Sequence, residues 1–418
     1  GPVIRSLTSA MSRGGKEMSF LPTAAESGRR AALAMLVSIL LCYGLAAVGL
    51  AGWPVQVAFG TVVLSALLAL PAVRDLRTAP LVLAVLVLVL IALGSPTDGW
   101  DPRSIWLFHA KRIYLEGPLY AQLDDYAPWS HNDYPALVPL LMASAAGLAG
   151  HWNELLPKAV APLLLLPALL LIAPSFRWRW CGMLFALLLL RLGRDMLING
   201  YMDPLVAVYA VAAVATAVRH RMSGKHGGGR ELVAFTLLVA VLSMLKNEGA
   251  VLAALLTAVV LGEGVLRERR LGWRILLAAV VALLPLLAWK LAVGQAGVAN
   301  DLAGSDMKAQ LLARLGSEGG AKPIVGRLLL DVWVLVPLLV LAVLWRPVLR
   351  VPAASAAVLA ALAYAVVLFL VYLGTPHDLD WHLRTSVDRV RMPVTLLLGF
   401  AVLLALEHRA TAKIPGTR

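Results

Sequence analysis

Long apolar runs separated by short polar segments dominate the pattern of this chain. A helix of about twenty apolar residues crosses the hydrocarbon core of a bilayer, and several runs approach that length. They lack the alternation of apolar and polar residues typical of membrane barrels, so the pattern predicts helices. The predicted apolar helices cover residues 31–51, 54–73, 79–94, 135–150, 158–174, 181–197, 203–218, 231–246, 249–265, 275–294, 328–345, 353–373 and 393–407.

The polar segments between these helices are of two kinds. Lys and Arg are concentrated in the N-terminal region, in residues 74–77, 219–230, 267–274 and 346–350, and in the C-terminal tail. Because cytoplasmic segments of membrane proteins carry an excess of Lys and Arg, these segments are predicted to be cytoplasmic. The opposite, extracytoplasmic face then receives residues 95–134, 198–202, 246–249, 295–327 and 374–392, which hold most of the acidic groups.

This orientation requires that one apolar segment between residues 135 and 218 does not cross the membrane. Residues 135–150 are the candidate, because the run is short and contains Pro139, Gly147 and Gly150. They are predicted to form a juxtamembrane or re-entrant helix. The alternative is the run 181–197, which charged residues interrupt. Without residues 135–150, about twelve crossings remain and both termini are cytoplasmic.

Composition agrees with an all-α polytopic membrane protein. The chain has 418 residues, of which 60% are hydrophobic and 15% are charged, and its mean hydropathy is +0.81. A soluble protein of this length is about one quarter charged. The net charge of +13 fits the positive-inside bias and attraction to anionic lipid, and no basic soluble domain indicates nucleic-acid binding. Cys42 and Cys181 lie in apolar runs and are interpreted as packing residues.

Polar residues that could carry chemistry gather on the extracytoplasmic face. Charges near membrane depth are costly unless they pair or face a wet cavity, so their convergence predicts an enzyme site or a polar conduit. They are Asp98, Asp101, Asp124, Asp125, His131, Asp133, Tyr134, Asp195, Tyr201, Asp203, Lys246, Asn247, Glu248, His377, Asp378, Asp380, His382, Arg384, Asp388, Arg389 and Arg391.

Structural explanations stay open for several of these residues. Asp101 and Asp203 each precede a proline and could only cap a helix. Lys246 could extend its amine from a helix end to the interface, and Arg389 and Arg391 could be interfacial anchors. His109 and Lys111 are interpreted as solvated. Six tryptophans are interpreted as an interfacial belt: Trp100, Trp106, Trp129, Trp152, Trp178 and Trp180.

Metal binding is the weaker chemical hypothesis. His377, Asp378, Asp380 and His382 are close in sequence, but their spacing matches no standard zinc pattern. Carboxylate oxygens are suitable ligands for Mg²⁺ or Mn²⁺, so binding of either ion stays open. The sequence predicts no required cofactor.

Five motifs in this order resemble those of the GT-C membrane glycosyltransferases. They are "GWDPRSIWLFHAKRIYLEG" at 99–117, "WSHNDYPALVPLL" at 129–141, "INGYMDPL" at 198–205, "LKNEG" at 245–249, and the Arg389-Val-Arg-Met-Pro393 stretch. The resemblance is to the branch with protein mannosyltransferases, aminoarabinose transferases and the bacterial RgtA/B/C/D-like enzymes. It covers residues 79 to 265 and the region of Arg389.

The resemblance implies roles for ten residues. Asp101 would be the catalytic carboxylate, with Asp98 as its rival, because Pro102 stands where the family carries Glu. Arg389 would contact the phosphate of the donor. The other implied substrate-binding residues are His131, Asp133, Tyr201, Asp203, Lys246, Arg391 and His382. The catalytic loop follows the third predicted span here, whereas the family places it after the first.

Four regions follow from this interpretation. Residues 1–28 are predicted to be an N-terminal cytoplasmic segment that is in part a tag remnant, since the chain begins Gly1-Pro2. Residues 29–78 would add two transmembrane helices. Residues 79–265 would form the GT-C-like catalytic core with outer loop 95–134. Residues 266–418 would supply the C-terminal transmembrane helices, with outer loops 295–327 and 374–392.

The resemblance implies transfer of a sugar from a polyprenyl-phosphate donor to a glycolipid, polysaccharide or protein, with inversion. The site would lie on the periplasmic side of the bacterial inner membrane. Two alternatives stay open. One is a glycan ligase or polymerase that uses a lipid-diphosphate donor, and the other is a lipid or sugar transporter, which would need polar groups near the bilayer midplane.

Overall fold

The structure is a computed structural model that describes residues 23–224, 228–299, 307–316 and 320–412. Within these ranges the chain forms helices and no strand. Most of the predicted segment 1–28 lies outside the described residues. So do parts of the basic segment 219–230, of the outer loop 295–327 and of the C-terminal tail.

Nine α-helices make up the first half of the chain. They are α1 (Ala24–Ala47), α2 (Trp53–Leu67), α3 (Ala79–Gly94), α4 (Leu107–Glu116), α5 (Leu137–Ala149), α6 (Leu155–Leu163), α7 (Leu165–Ile172), α8 (Arg179–Asn199) and α9 (Asp203–Met222) among the described residues. A short π-helical turn, Pro102–Trp106, leads into α4.

Eleven more α-helices follow among the described residues. They are α10 (Gly229–Leu245), α11 (Asn247–Glu268), α12 (Trp273–Ala282), α13 (Leu284–Ala296), α14 (Met307–Leu315), α15 (Ala321–Leu328), α16 (Val332–Val343), α17 (Trp345–Arg350), α18 (Pro352–Gly374), α19 (Leu379–Val390) and α20 (Met392–Thr411).

Eight helical stretches in the described part of the chain are long and apolar enough to cross a membrane, or nine if the bent α15–α16 pair is one span. The protein is therefore a multi-pass membrane protein. The eight are Ala24–Ala47, Trp53–Arg74, Leu155–Ser175, Asp203–Met222, Asn247–Glu268, Trp273–Ala296, Pro352–Gly374 and Leu379–Thr411. The count of about twelve crossings and the GT-C fold stay predictions.

The helix bundle has two chemically distinct ends. Residues 95–106, 200–202 and 246 lie at one end, here named the acidic end, where Lys246 meets Asp203. Residues 75–78 and 176–178 lie at the other, the basic end, where Arg77 donates to the Phe176 carbonyl. The helix α8 runs from the basic end to the acidic end, so the interrupted run 181–197 passes through the bundle.

Helix α5 begins and ends at the acidic end. Just before it, Tyr134 lies beneath the Lys246 amine. Near its end, Gly147 packs against Gln56 at the start of α2, and Lys158 in the following α6 donates to the Ser95 carbonyl. The chain thus returns to the end of the bundle where this helix began, and the juxtamembrane or re-entrant placement of residues 135–150 stays a prediction.

Helix α9 is the centre of the bundle. Every residue from Asp203 to Val218 is buried, and the helix packs against α7, α10, α11, α18 and α20. The α1–α2 hairpin packs at the periphery and leaves many apolar side chains exposed. Exposed apolar side chains on a bundle of this composition are what a bilayer solvates.

Three sequence interpretations can be checked here. Cys42 and Cys181 are free and buried, which confirms their packing role. Trp106 is 1% exposed, so it belongs to the core and not to an interfacial belt. His109 is also fully buried, whereas Lys111 is exposed. The solvated interpretation of His109 was wrong, because the loop after α4 folds back over that face of the helix.

Candidate functional site

An ion pair between Asp101 and Arg389 joins the first long loop to α19. Asp101 precedes Pro102 but makes no side-chain hydrogen bond to the following backbone, so it is not a helix cap. Its carboxylate instead accepts from the Arg389 guanidinium. The two side chains are 14% and 23% exposed, so a ligand can reach them.

A second ion pair is buried directly beside the first. The Lys246 amine lies 3.1 Å from a carboxylate oxygen of Asp203 and 3.1 Å from one of Glu248. Burial lowers the pKa of Lys246, but the two carboxylates outweigh this effect and hold its pKa well above the ordinary value. Lys246 is therefore a fixed positive charge and not an interfacial lysine.

The two ion pairs form one continuous row of charges. Arg389 lies 4.0 Å from Asp203 as well as in contact with Asp101. We name Asp101, Arg389, Asp203, Lys246 and Glu248 the charge chain. It contains three acids and two bases, so its net charge is −1 when every group is ionised. An anionic ligand must therefore displace a carboxylate from its cation.

Tyr201 fixes the loop that carries Asp101. Helix α8 ends at Gly200, whose φ of 93° turns the chain so that Tyr201 lies under this loop. A Cβ on Gly99 would be 2.6 Å from the Tyr201 ring, so only glycine allows this approach. The Arg389 guanidinium lies 5.2 Å from the centroid of the same ring. Burial and the Asp101 charge raise the pKa of Tyr201, which keeps its hydroxyl protonated.

Asp133 is the centre of a second polar cluster. Its carboxylate accepts from the Asn247 amide at 2.7 Å and lies 3.4 Å from the Lys290 amine. Its carbonyl accepts from the Trp289 indole at 3.0 Å. These contacts tie the first long loop to α13 and to the start of α11, which is the segment that places Lys246.

The loop before Asp133 is held by a network around His109. The Nε2 atom of His109 lies 3.0 Å from the Asn132 side-chain oxygen. The Asn132 amide donates to the carbonyls of Asp124 and Tyr126 at 3.0 and 2.9 Å. Two residues of this loop, Ala127 and His131, have positive φ angles of 51° and 52°. Such conformations persist where the surrounding contacts determine them.

A cavity of about 200 Å³ lies between the two clusters. His131, Asp133 and Glu248 line it on one side, and His382 and Ser386 of α19 on the other. Its remaining wall is apolar and comes largely from α18. His382 is held by a 2.8 Å hydrogen bond between its Nδ1 atom and the Thr375 hydroxyl. The cavity thus presents hydroxyl-binding groups beside the charge chain.

Two predicted site residues, Arg391 and Asp98, lie outside both the charge chain and the cavity beside it. Arg391 points away, and its guanidinium lies 3.1 Å from Asp331 and 2.9 Å from Asp388. The Asp98 side chain is exposed, and its backbone N–H donates to Asn199. Asp98 is therefore a neighbour of the site at the end of α3.

Two residues to which the sequence analysis assigned no site role belong to the site. Glu248 has one carboxylate oxygen on Lys246, and its other oxygen is buried without a hydrogen-bond partner in the described structure. Lys290 is the other, and it stands alone in the apolar run 275–294. An isolated charge in a membrane helix is itself the signal that could have found it.

No group of three or more His, Cys, Asp or Glu side chains within the described ranges could hold a metal ion. The acids of the charge chain contact cationic side chains instead. Binding of Mg²⁺ or Mn²⁺ stays a prediction.

A scan against protein-family models and searches of curated proteins and of solved structures found no match to this chain.

Proposed function

We propose that this protein is a membrane glycosyltransferase that moves a sugar from a polyprenyl-phosphate donor to a hydroxyl acceptor. The observation that carries the proposal is the charge chain, which sets one accessible carboxylate, Asp101, against an arginine at the membrane boundary. Glycosyl transfer needs these two groups, a base for the acceptor hydroxyl and a cation for the leaving phosphate.

In the proposed reaction, Asp101 accepts the proton of the acceptor hydroxyl. In the free protein its carboxylate is occupied by Arg389. Donor phosphate would compete for the same guanidinium, because guanidinium groups bind phosphate with paired hydrogen bonds. Phosphate binding then releases Asp101 as a base only when the donor is present.

Two cationic side chains stabilise the negative charge that develops on the leaving phosphate. Arg389 contacts it directly, and Lys246 contributes the field of a buried ammonium beside Asp203. The cavity beside them would hold the sugar, whose hydroxyls find the unpartnered oxygen of Glu248 and the imidazole of His131. Attack from the face opposite the phosphate would invert the anomeric centre.

The first test is transfer by the purified protein. Radiolabelled polyprenyl-phosphate sugars are incubated with a membrane lipid extract and with wild type, Asp101→Asn or Asp98→Asn. We expect label to move with wild type and with Asp98→Asn, and about 10²–10⁴-fold slower with Asp101→Asn, the usual effect of removing a general base. Full transfer by Asp101→Asn, or no transfer by wild type from any donor, contradicts the proposal.

The same assay with lipid-diphosphate glycans tests the ligase or polymerase alternative, which His382 in the cavity wall keeps open. A transporter is less well supported, because the charge chain lies at one end of the bundle and not at its middle.

A further inference from the structure

At the basic end of the bundle, an open groove of about 710 Å³ lies where α3 and α8 begin. Four arginines line it, namely Arg74, Arg77, Arg177 and Arg179, together with Asp75 and two tryptophans. It lies far from the charge chain, because α8 has 21 residues and spans about 30 Å between the groove and Tyr201. A helix of that length extends across the bundle, so the groove lies at the end of the bundle opposite the charge chain.

The floor of the groove is a fixed structure. The Arg77 guanidinium binds both carboxylate oxygens of Asp75, at 3.0 and 2.8 Å, and donates to the Phe176 carbonyl at 3.1 Å. A Cβ on Gly182 would lie 2.0 Å from the Arg77 carbonyl oxygen, so the loop is packed directly on the first turn of α8. The Asp75 carboxylate is therefore paired with Arg77 and does not neutralise the other arginines of the groove.

Residues 177–180 form one wall of the groove, and Glu407 of α20 holds the backbone of this wall. Its carboxylate is 3% exposed and accepts from the backbone N–H groups of Arg177 and Trp178 at 2.8 to 3.1 Å. The backbone is thereby held while the side chains of residues 177–180 stay exposed. Four guanidinium groups thus stand against two carboxylates, and both carboxylates are already hydrogen-bonded.

Three of the arginines are available for a ligand. Among the described residues, the guanidinium groups of Arg74, Arg177 and Arg179 form no ion pair, and all three side chains are exposed. Arg179 lies 5.1 Å from the ring of Trp180. Trp178 and Trp180 are 37% and 53% exposed, as aromatic side chains at the level of lipid headgroups are.

We infer that this groove binds an anionic phospholipid, with Arg74, Arg177 and Arg179 on the headgroup phosphate and the tryptophans against the glycerol and upper acyl chain. Charge complementarity and the position at the end of apolar helices favour a lipid over a free phosphate. Basic pockets between helices at this depth recognise anionic headgroups, and guanidinium groups pair with phosphate oxygens. The inference does not depend on the proposed glycosyl transfer.

The test is native mass spectrometry of the delipidated full chain in detergent, titrated with phosphatidylglycerol or phosphatidylcholine. We expect phosphatidylglycerol to bind the wild type more tightly. The triple variant R74Q/R177Q/R179Q should lose about 100-fold in affinity, from about fivefold per basic residue near a membrane surface. A matched triple variant, R274Q/R346Q/R350Q, removes the same charge from exposed arginines of other basic segments outside the groove and should lose little.

Equal losses in the two triple variants would show attraction to net charge alone and overturn the site. So would unchanged binding in R74Q/R177Q/R179Q. Competition by soluble glycerol phosphate as strong as by the lipid would overturn a lipid ligand in favour of a free phosphate. R74Q alone, at an exposed side chain, should lose severalfold and guards against a folding defect in the triple variant.

Discussion

The Asp101 carboxylate and the Arg389 guanidinium are 288 positions apart in the chain and form a direct ion pair at the acidic end of the bundle. Each group neutralises the other in the free protein. A change at either residue therefore alters the charge that both present to a ligand, and the two must be tested together.

Replacing Arg389 tests the phosphate role. We expect R389K to raise KM for the donor and to lower kcat/KM by about 10–100-fold, because an ammonium lacks the paired donors of a guanidinium. R389Q should lose more, since Asp101 then faces the phosphate without a cation. The measurement is steady-state transfer at varied donor concentration. R391K is the matched control, because Arg391 pairs with Asp331 and Asp388. An equal loss in R391K would remove the distinction drawn between the two arginines.

Replacing Lys246 tests the buried ion pair. In K246M the buried carboxylate of Asp203 loses its nearest cation and keeps only Arg389 at 4.0 Å. We expect a loss of about 3–5 kcal/mol in unfolding free energy. The double variant K246M/D203N should recover part of it, because the uncompensated charge is gone. Denaturant unfolding in detergent measures both, with K111M at an exposed position as control. Wild-type stability in K246M would contradict the buried pair.

Gly99 tests the contact that fixes the catalytic loop. In G99A the new methyl group meets the Tyr201 ring at 2.6 Å, so the ring or the loop must move. We expect a tenfold or larger loss of kcat, because a displacement of about 1 Å at a reacting group costs up to about 100-fold. G94A is the control, since a Cβ there meets nothing within 4 Å. Removing the ring in G99A/Y201L should restore the loop position, which crosslinking of the loop can follow. Full activity in G99A would show that the loop position is not critical.

His109 predicts a pH dependence of stability. Burial lowers the pKa of His109 from 6.5 to about 4. Between these values the unfolded chain binds a proton that the folded chain does not, so stability falls as the pH falls from about 6.5 to about 4. The full effect is about 3 kcal/mol. H109Q keeps a donor for Asn132 and should flatten this part of the profile, whereas H151Q, at an exposed histidine, should not. An unchanged profile in H109Q would assign the dependence to other groups.

Much of the site could be predicted because charged residues are conspicuous in apolar sequence. Asp101, Asp203, Lys246 and Arg389 each stand at the end of an apolar run, and the structure joins all four. An isolated charge near a membrane is energetically costly without a partner, so the sequence predicts that these four residues form ion pairs. Transmembrane helices were equally evident, since length and hydropathy define them.

Which partner each charge finds could not be predicted, because that depends on helix packing between distant segments. Arg389 and Arg391 differ by two positions, which is about 200° around a helix, so one meets Asp101 and the other Asp331. The sequence does not fix the rotation of α19 that decides between them. Likewise, Lys290 meets Asp133 only because α13 packs beside the first long loop.

The enclosure of α9 affects how the protein is made. Its central position, buried from Asp203 to Val218, depends in part on α18 and α20, which the ribosome produces after α9. Until α18 and α20 have been made, the side of α9 that they cover lacks these protein neighbours. Asp203 and Asp101 lack their partner Arg389 until α19 has been made. Membrane insertion of the early helices therefore precedes assembly of the core, and the nascent chain acquires a complete charge chain only after α19, which carries Arg389, has been synthesised.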